Sequence, residues 1–394
     1  MNDLKEKVIE LEKYLVKTRR FLHENPEVSG KEYNTATFLK AEINKLGLPI
    51  EQASNTGFIA TLDTGKPGKT VALRTDIDAL PVDESPENLK GKRLVTSQVE
   101  GVAHMCGHDG HMAIVLASMK LLCEYKEKLS GKIIFIFEEG EEIGCGIADM
   151  IKLLKSKNID AIYGTHLTSF MDTGTICLDE GARMAGAAVI EMNILGKSGH
   201  GSRPDLSINP VFAAAQVLNG ISNAWNNQID VSKTVTLGLT QIHGGQINNV
   251  IPDKVFIGGT LRFFDLDEGH RAVNVLKEVA SLTAQAHKCS VEFNETTKVA
   301  TIPLINDKHL SAIARNAVTK NMPEALVTDV KWYASESFAR YHEVAPIVFS
   351  FVGTRNNELG SGAEHHNEKF DIDEKSLTYA TLATTQFAID FLNS

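Results

Sequence analysis

Short apolar runs typical of strands alternate with longer helical patterns over the first 170 residues, and this alternation is the strongest constraint on the fold. Strands are predicted near 57–63, 70–75, 132–137 and 161–164, and helices near 3–24, 30–46, 112–125 and 146–156. Strands that follow one another through helices pair in parallel, with helices on both faces of the sheet. The sequence therefore predicts an α/β protein built on a mainly parallel sheet.

Acidic and histidine residues directly follow three of these strands. Asp76 and Asp78 follow the second strand, Glu141 and Glu142 follow the third, and His166 follows the fourth. Ligands of α/β proteins gather at the carboxyl ends of parallel strands, so one shared site is predicted there. For the two aspartates a role as turn residues stays open, and for the glutamates a solvated acidic turn.

The segment Met105–His111 adds a thiol and imidazoles to this set. Cys106 and His108 are two residues apart, so their side chains leave the same face of an extended or loop backbone. A thiolate beside an imidazole suits zinc, manganese or cobalt, and the alternative is a polar loop rich in histidine. Four glutamates around Gly140 repel one another unless a cation lies between them.

The pattern changes at about residue 183. A strand beginning there is followed by a helix near 208–226, strands near 232–242 and 254–263, a helix near 267–287 and a strand near 289–295. Two helices on a four-stranded, largely antiparallel sheet form a compact α+β unit. We therefore predict a smaller lid or dimerisation domain at 183–296, inserted into a catalytic domain of 1–182 and 297–394.

Composition excludes several classes of protein. A net charge of −10 argues against a nucleic-acid partner. No apolar run approaches the roughly 20 residues that span a bilayer, so no membrane partner is expected. The first residues are charged and lack the apolar core of a signal peptide, and five scattered cysteines do not indicate a disulfide framework. A reducing cytoplasm is the expected location.

Nine segments, in order along nearly the whole chain, resemble the M20 metallopeptidase superfamily. Within it they are most similar to the amidohydrolase branch of hippurate hydrolases, auxin-conjugate hydrolases and bacterial N-acyl-amino-acid amidohydrolases. The segments are Arg19–Glu27, Arg74–Pro81, Cys106–His111, Glu141–Glu142, Gly164–His166, Gly199–Pro204, Asn249–Asp253, Gly259–Arg262 and His366 before Phe370-Asp371. The resemblance implies a zinc-peptidase-like catalytic domain.

The resemblance also implies a two-metal centre. Two divalent ions per subunit, zinc, manganese, cobalt or nickel, would be held by five side chains. Glu141 would be the general base, and Asp78 would orient a metal-binding side chain. The five implied ligands are Cys106, His108, Glu142, His166 and His366.

Three further residues would act on the substrate, which the resemblance identifies as a small N-acyl amino acid. His200 and Asn249 would help polarise the scissile carbonyl, and Arg262 would bind the substrate carboxylate through two parallel hydrogen bonds. In this family the histidine often acts across a dimer interface or after domain closure. A homodimer is therefore expected.

The chain departs from the family pattern in three places. The usual Phe-Gln-Pro-Ala-Glu-Glu is Phe137–Glu142 here, with glutamates at 138 and 139 that could raise metal affinity, alter substrate choice or bind a substrate amine. The usual Ser-Glu-Asp-Phe has Ser337 in place of its aspartate. A tandem pair, His365 and His366, replaces a single histidine, and counting back from Phe370 favours His366.

Three functions compete. The first is a metal-dependent hydrolase that cleaves the amide bond of N-acyl or N-aroyl amino acids into a carboxylic acid and a free amino acid. The second is a dipeptidase or an N-acetyl-diaminopimelate deacetylase of the same superfamily. The third is a non-catalytic metal-binding protein. The complete set of implied ligands together with a base argues against the third. An amine-binding carboxylate, for which Glu138 or Glu139 could serve, would distinguish the second from the first.

Overall fold

The computed structural model describes residues 3–394, which form two compact units. The larger unit consists of the chain up to Gly181 together with Ile305–Val330 and Ser337–Ser394. The smaller unit consists of Ala182–Leu304 and Lys331–Glu336. The smaller unit therefore holds residues 297–304 and 331–336, which lie outside the domain predicted at 183–296. Those limits stay a prediction.

Helices fall where the sequence has periodic apolar residues. The predicted first helix is divided into two at Leu11, and the others begin or end within a few residues of expectation, apart from α4. The α-helices in residues 3–394 are α1 (Leu4–Glu10), α2 (Glu12–Glu24), α3 (Tyr33–Asn44), α4 (His108–Glu124), α5 (Ile147–Leu154), α6 (Pro210–Gln228), α7 (Leu266–Ala286), α8 (Lys308–Asn321) and α9 (Ser376–Leu392).

Seventeen strands occur in the same described part of the chain, and many of them are short. They are β1 (Ile50–Gln52), β2 (Phe58–Asp63), β3 (Thr70–Asp76), β4 (Lys132–Glu138), β5 (Ala161–Asp172), β6 (Ile176–Cys177), β7 (Gly181–Met184), β8 (Gly186–Leu195), β9 (Gly199–His200), β10 (Val235–His243), β11 (Val250–Ile251), β12 (Lys254–Phe263), β13 (Ser290–Phe293), β14 (Val299–Thr301), β15 (Leu304–Asn306), β16 (Leu326–Val327) and β17 (Ile347–Arg355).

The larger unit is built on an eight-stranded sheet in the order β1-β2-β4-β3-β5-β17-β6-β16. Its centre is parallel, since β3 pairs in parallel with β4 and β5, and β5 with β17. Strands β1, β2 and β6 add antiparallel pairs at the sides. The sheet is mixed and mainly parallel, as the alternation of strands and helices predicts.

The central strands are buried, and β4 is mostly apolar. Every residue of β3 is buried, and so are six of the seven residues of β4. Helices α4 and α9 contact each other and strands β3 and β5, and nearly all of their residues are buried. A strand covered on both faces needs a continuous apolar run. In β4 the apolar run ends at Phe137, and polar residues follow at the carboxyl end of the strand.

The smaller unit contains a five-stranded sheet in the order β10-β12-β8-β13, with β14 also paired to β8. All of its strand pairs are antiparallel. Helices α6 and α7 pack on each other and on β8 and β12. The prediction of four strands missed β14, because three residues are too few to show an alternating pattern.

Within residues 3–394, no helix combines the length and the apolar composition that crossing a bilayer requires.

Candidate metal centre

A tight turn after β4 presents Glu141 and Glu142. The 3-10 turn Glu141–Ile143 is preceded by Gly140, whose φ of 59° lies in the left-handed region. A Cβ atom at Gly140 would clash with Cys145 Sγ, and the left-handed φ adds strain for any other residue, so glycine is favoured there. The chain can therefore leave the strand abruptly and place two adjacent carboxylates at its carboxyl end.

A second glycine separates the thiol from the first imidazole. Gly107 has a φ of 89°, and helix α4 begins immediately after it at His108. The sequence predicted a loop here with a helix starting near residue 112, which is wrong. The helix begins four residues earlier because the left-handed glycine reverses the chain direction directly before it. Cys106 lies just before the helix and His108 in its first turn.

The structure brings the five predicted metal ligands together in the larger unit. Cys106 Sγ lies 3.5 Å from His166 Nε2, and Glu142 Oε1 lies 3.8 Å from His108 Nε2 and 3.4 Å from His366 Nε2. These side chains form groups of three whose ligand atoms lie within 4.8 Å of one another, and neighbouring groups share residues. One of the groups consists of Glu141, His108 and Glu142. The thiol, imidazoles and carboxylate are donors that zinc and related ions accept.

Two unsatisfied atoms show that these residues fit a cation. Among residues 3–394, neither His108 Nε2 nor Glu142 Oε1 has a hydrogen-bond partner, although both are buried. An unsatisfied buried polar atom is costly, and a metal ion would satisfy both. Burial and the nearby Glu142 carboxylate raise the pKa of the Cys106 thiol well above its ordinary value. A cation beside the sulfur would supply the charge that an ionised thiol needs there.

Asp78 holds His108 in the orientation that a ligand needs. His108 Nδ1 lies 3.1 Å from Asp78 Oδ1, while Asp78 Oδ2 accepts hydrogen bonds from Ser29 Oγ at 2.6 Å and from Glu142 N at 3.1 Å. With the Nδ1 proton directed at Asp78, His108 Nε2 carries the lone pair that faces the other ligands. The predicted orienting role of Asp78 fits these contacts and stays a proposal.

The tandem histidines point in different directions. His366, which has a φ of 63°, faces Glu142. His365 instead accepts a hydrogen bond from Ser169 N at 3.2 Å through Nε2, and its ring packs on Phe370. A positive φ costs energy for residues other than glycine and persists where the surrounding structure holds it. The geometry therefore favours His366 over His365 as a ligand.

His166 lies within a strand and not past its end. Strand β5 continues to Asp172, and His166 is paired with Phe351 of β17. The predicted short strand at 161–164 is therefore wrong, because the β17 partner extends the ladder further. His166 Nδ1 bonds Leu167 O at 2.8 Å, which directs Nε2 at the thiol. Burial lowers the pKa of His166 well below its ordinary value, so the ring is neutral and can bind a metal.

Asp76 and His111 lie beside the ligands, yet other contacts occupy them. Asp76 Oδ1 lies 2.8 Å from His111 Nδ1, and Asp76 Oδ2 accepts from Arg74 Nη1 at 2.8 Å. His111 Nε2 accepts a hydrogen bond from Leu167 N at 2.9 Å. These contacts give His111 a structural role within helix α4.

The two glutamates that depart from the family pattern are turned into the protein. Glu138 is fully buried and accepts from Arg74 Nε at 2.7 Å, Ser337 Oγ at 2.6 Å and Tyr341 OH at 2.8 Å. Glu139 accepts from the backbone of loop 54–57. The suggestion that they bind a substrate amine is therefore wrong, since protein donors already occupy both carboxylates. Two departures, Glu138 and Ser337, contact each other, which the sequence could not show.

The three predicted substrate residues lie in the smaller unit. His200 belongs to β9, where it pairs with Val250 of β11, and its Nδ1 accepts from Ser202 N at 3.1 Å. Asn249 is adjacent, because its backbone oxygen accepts from Gly201 N at 2.8 Å. Arg262 lies on β12 and donates to Thr260 Oγ1 at 2.6 Å. The structure thus brings His200 and Asn249 together and places Arg262 on a different strand.

Two residues of the Arg19–Glu27 motif, Arg19 and His23, belong to a buried ionic network. Asp109 Oδ2 lies 2.7 Å from Arg19 Nε and 2.8 Å from His23 Nδ1, and His23 Nε2 lies 2.9 Å from Glu84 Oε1. Burial and the Arg19 charge disfavour the imidazolium, but hydrogen bonds to Asp109 and Glu84 outweigh them and raise the pKa of His23. The network joins α2 to the first turn of α4, so it supports the helix that carries His108.

We expect His23→Leu to lower the free energy of unfolding by about 3 kcal/mol near pH 6, because buried carboxylates lose a charged donor. A raised native pKa means that this stabilisation is complete below the ordinary histidine pKa of about 6.5 and is lost as pH rises through the native pKa. Urea unfolding from about pH 6 to pH 9 should therefore show the difference between variant and wild type shrinking. The exposed His309 offers a control, and a difference independent of pH would contradict this account.

Comparisons with known proteins give the family of the chain. The model of peptidase family M20/M25/M40 matches residues 72–389. Thermostable carboxypeptidase 2 of Saccharolobus solfataricus is 34% identical over 99% of this chain and 98% of its own length. IAA-amino acid hydrolase ILR1-like 4 of Arabidopsis thaliana is 32% identical over 96% of this chain and 86% of its own. The solved structure of a dinuclear metal-binding peptidase of family M20 from Bacillus subtilis superimposes with a TM-score of 0.84, at 29% identity over 98% of this chain and 99% of its own.

A family model that covers most of the chain, together with full-length relatives that are hydrolases, identifies the protein as an enzyme. The sequence motifs, the parallel sheet and the cluster of ligand atoms are mutually consistent with that result. The chain belongs to peptidase family M20/M25/M40.

Proposed function

We propose that the protein is a dinuclear metal-dependent amidohydrolase that cleaves N-acyl or N-aroyl amino acids into a carboxylic acid and a free amino acid. The observation that carries the proposal is the convergence of the five ligand side chains with Glu141 beside them. The similarity to an IAA-amino acid hydrolase supports an acyl amino acid as the substrate class. The substrate itself is a small molecule.

The metal centre would be held by Cys106, His108, Glu142, His166 and His366. Divalent ions bound there would supply Lewis acidity toward water and toward the amide carbonyl. The mixed donor set leaves zinc, manganese, cobalt or nickel as candidates, with the thiolate favouring the softer ions.

Glu141 would move the proton in this reaction. Its Oε1 accepts a hydrogen bond from Ser337 N at 2.9 Å, which holds the carboxylate beside Glu142 and His108. The carboxylate takes the proton of the attacking water and then gives it to the leaving amine nitrogen. Asp78 keeps the His108 ring in place during these steps.

His200, Asn249 and Arg262 would act on the substrate. We propose that His200 and Asn249 donate hydrogen bonds to the scissile carbonyl as negative charge develops on its oxygen. Arg262 would pair with the substrate carboxylate, and burial already lowers the pKa of its guanidinium by penalising its charge. A homodimer and a cytoplasmic location stay predictions.

A hydrolysis screen with metal-reconstituted enzyme tests the proposal. The substrates are acetyl-, benzoyl-, indole-acetyl- and long-chain acyl-amino acids, with dipeptides of the same amino acids as the comparison set. We expect release of the free amino acid from at least one acyl series and little release from dipeptides.

Cleavage of dipeptides alone would replace the proposal by the second candidate, a dipeptidase. The similarity to a carboxypeptidase gives that candidate its support. Against it, Glu138 and Glu139 are already bound by protein donors and do not offer a carboxylate to a substrate amine.

A further inference from the structure

Glu138 is a buried carboxylate that the proposed reaction does not use. It ends strand β4, three residues before Glu141, and has no exposed surface. A buried charge must be paired, and the Arg74 guanidinium provides the pairing by bonding Glu138 through Nε and Asp76 through Nη1. The Arg74 guanidinium therefore holds both Glu138 and Asp76, and Asp76 in turn bonds His111.

Ser337 connects this buried pair to Glu141. Its hydroxyl donates to Glu138 Oε1 at 2.6 Å and accepts from Arg74 Nη2 at 3.1 Å, so both roles of the hydroxyl are filled. Its backbone N–H donates to Glu141 Oε1 at 2.9 Å. The side chain of Ser337 thus fixes the position of the N–H group that holds Glu141.

We propose that Arg74, Glu138 and Ser337 form a clamp that positions Glu141, with Glu138 as the positioning residue. The proposal rests on the proposed function, in which Glu141 moves the proton. The ionised Glu138 can only accept hydrogen bonds, so the Ser337 hydroxyl must donate to it. A neutral side chain at 138 would not impose that direction, and Ser337 would be free to turn its backbone N–H away from Glu141.

Besides Asp76, the clamp needs a second carboxylate beside Arg74, and positions 138 and 337 can each carry it. Because Ser337 Oγ already bonds Arg74 Nη2, an aspartate at 337 would meet the same guanidinium. The double variant E138Q/S337D therefore removes the negative charge at 138 and places one at 337, the residue that bonds Glu138 directly. It should restore the position of Glu141 and the kcat that Glu138→Gln alone would lower.

Steady-state kinetics of four variants test the clamp on an acyl amino acid that the wild type cleaves. We expect Glu138→Gln to lower kcat by about 10–100-fold and Ser337→Ala by about 10-fold, with KM and metal content unchanged, because a misplaced catalytic group costs rate and not binding. E138Q/S337D should recover most of kcat. Tyr341→Phe, which removes a hydrogen bond to the other oxygen of Glu138, should lower thermal stability and change kcat by less than about twofold.

Crystal structures of the metal-free variants give a readout independent of activity. In Glu138→Gln the Glu141 carboxylate should lie beyond hydrogen-bond distance of Ser337 N, whereas Tyr341→Phe should keep that bond. Wild-type kcat in Glu138→Gln, or an equal loss in Tyr341→Phe, would overturn the proposal. If Glu138→Gln does not fold, Ser337→Ala takes its place in both measurements, and a wild-type kcat in Ser337→Ala would overturn the proposal. If the wild type cleaves no substrate, the proposed function fails, and the crystal structures still test the clamp.

Discussion

Glu141→Gln is expected to abolish hydrolysis while the bound metal stays in place. Glutamine has the shape of glutamate and keeps an oxygen that can accept the hydrogen bond from Ser337 N. It cannot take a proton from water at neutral pH, and loss of a general base costs about 10²–10⁴-fold in kcat. The five proposed ligand side chains are untouched, so the metal content per chain should equal that of the wild type. Kinetics and elemental analysis of the same preparation measure both quantities.

Glu139→Gln is the matched control, because it makes the same chemical change two residues away. The Glu139 carboxylate faces the backbone of Thr56 and Gly57 and not the ligand cluster. We expect a lower melting temperature, since hydrogen bonds to a charged acceptor become weaker, and a kcat within about threefold of the wild type. Turnover retained in Glu141→Gln, or lost equally in both variants, would remove Glu141 from its role as base.

The sequence predicts those parts of the site that local chain geometry determines. Asp76, Asp78, Glu141 and Glu142 lie at or just past the carboxyl ends of β3 and β4, where parallel strands must end together. Strand β4 carries an apolar run over 133–137, as burial on two faces demands, and β3 carries a shorter run over 71–73. The sheet and the acidic end of the site could therefore be inferred before any contact was known.

Contacts between distant segments could not be inferred in this way. Ser337 approaches Glu138 and Glu141 from almost 200 residues along the chain, and no periodic pattern encodes that approach. Strand β5 runs past His166 only because β17 pairs with it, so its length depends on a partner more than 170 residues away. The buried role of Glu138 has the same origin, since a carboxylate is expected to be exposed unless its cationic partner is known.

Cys106→Ser is expected to reduce metal affinity by at least about 100-fold, more than the 10–100-fold that is typical for loss of a residue supporting a ligand. The thiol is buried and lies 3.5 Å from His166 Nε2, within the ligand cluster. A serine hydroxyl is smaller than a thiol, and its much higher pKa keeps it protonated where a thiol bound to metal ionises. The loss should be larger for zinc than for manganese, because manganese prefers oxygen ligands.

Cys289→Ser is the control, since Cys289 is also buried but belongs to the core of the smaller unit, whereas the proposed ligands belong to the larger unit. Both variants place a hydroxyl in a buried site and should lose some stability. Only Cys106→Ser should lose metal during dialysis against a weak chelator, as measured by elemental analysis of the protein that remains. Equal metal retention in the two variants would show that the thiol is not a ligand. The cluster would then consist of imidazoles and carboxylates alone.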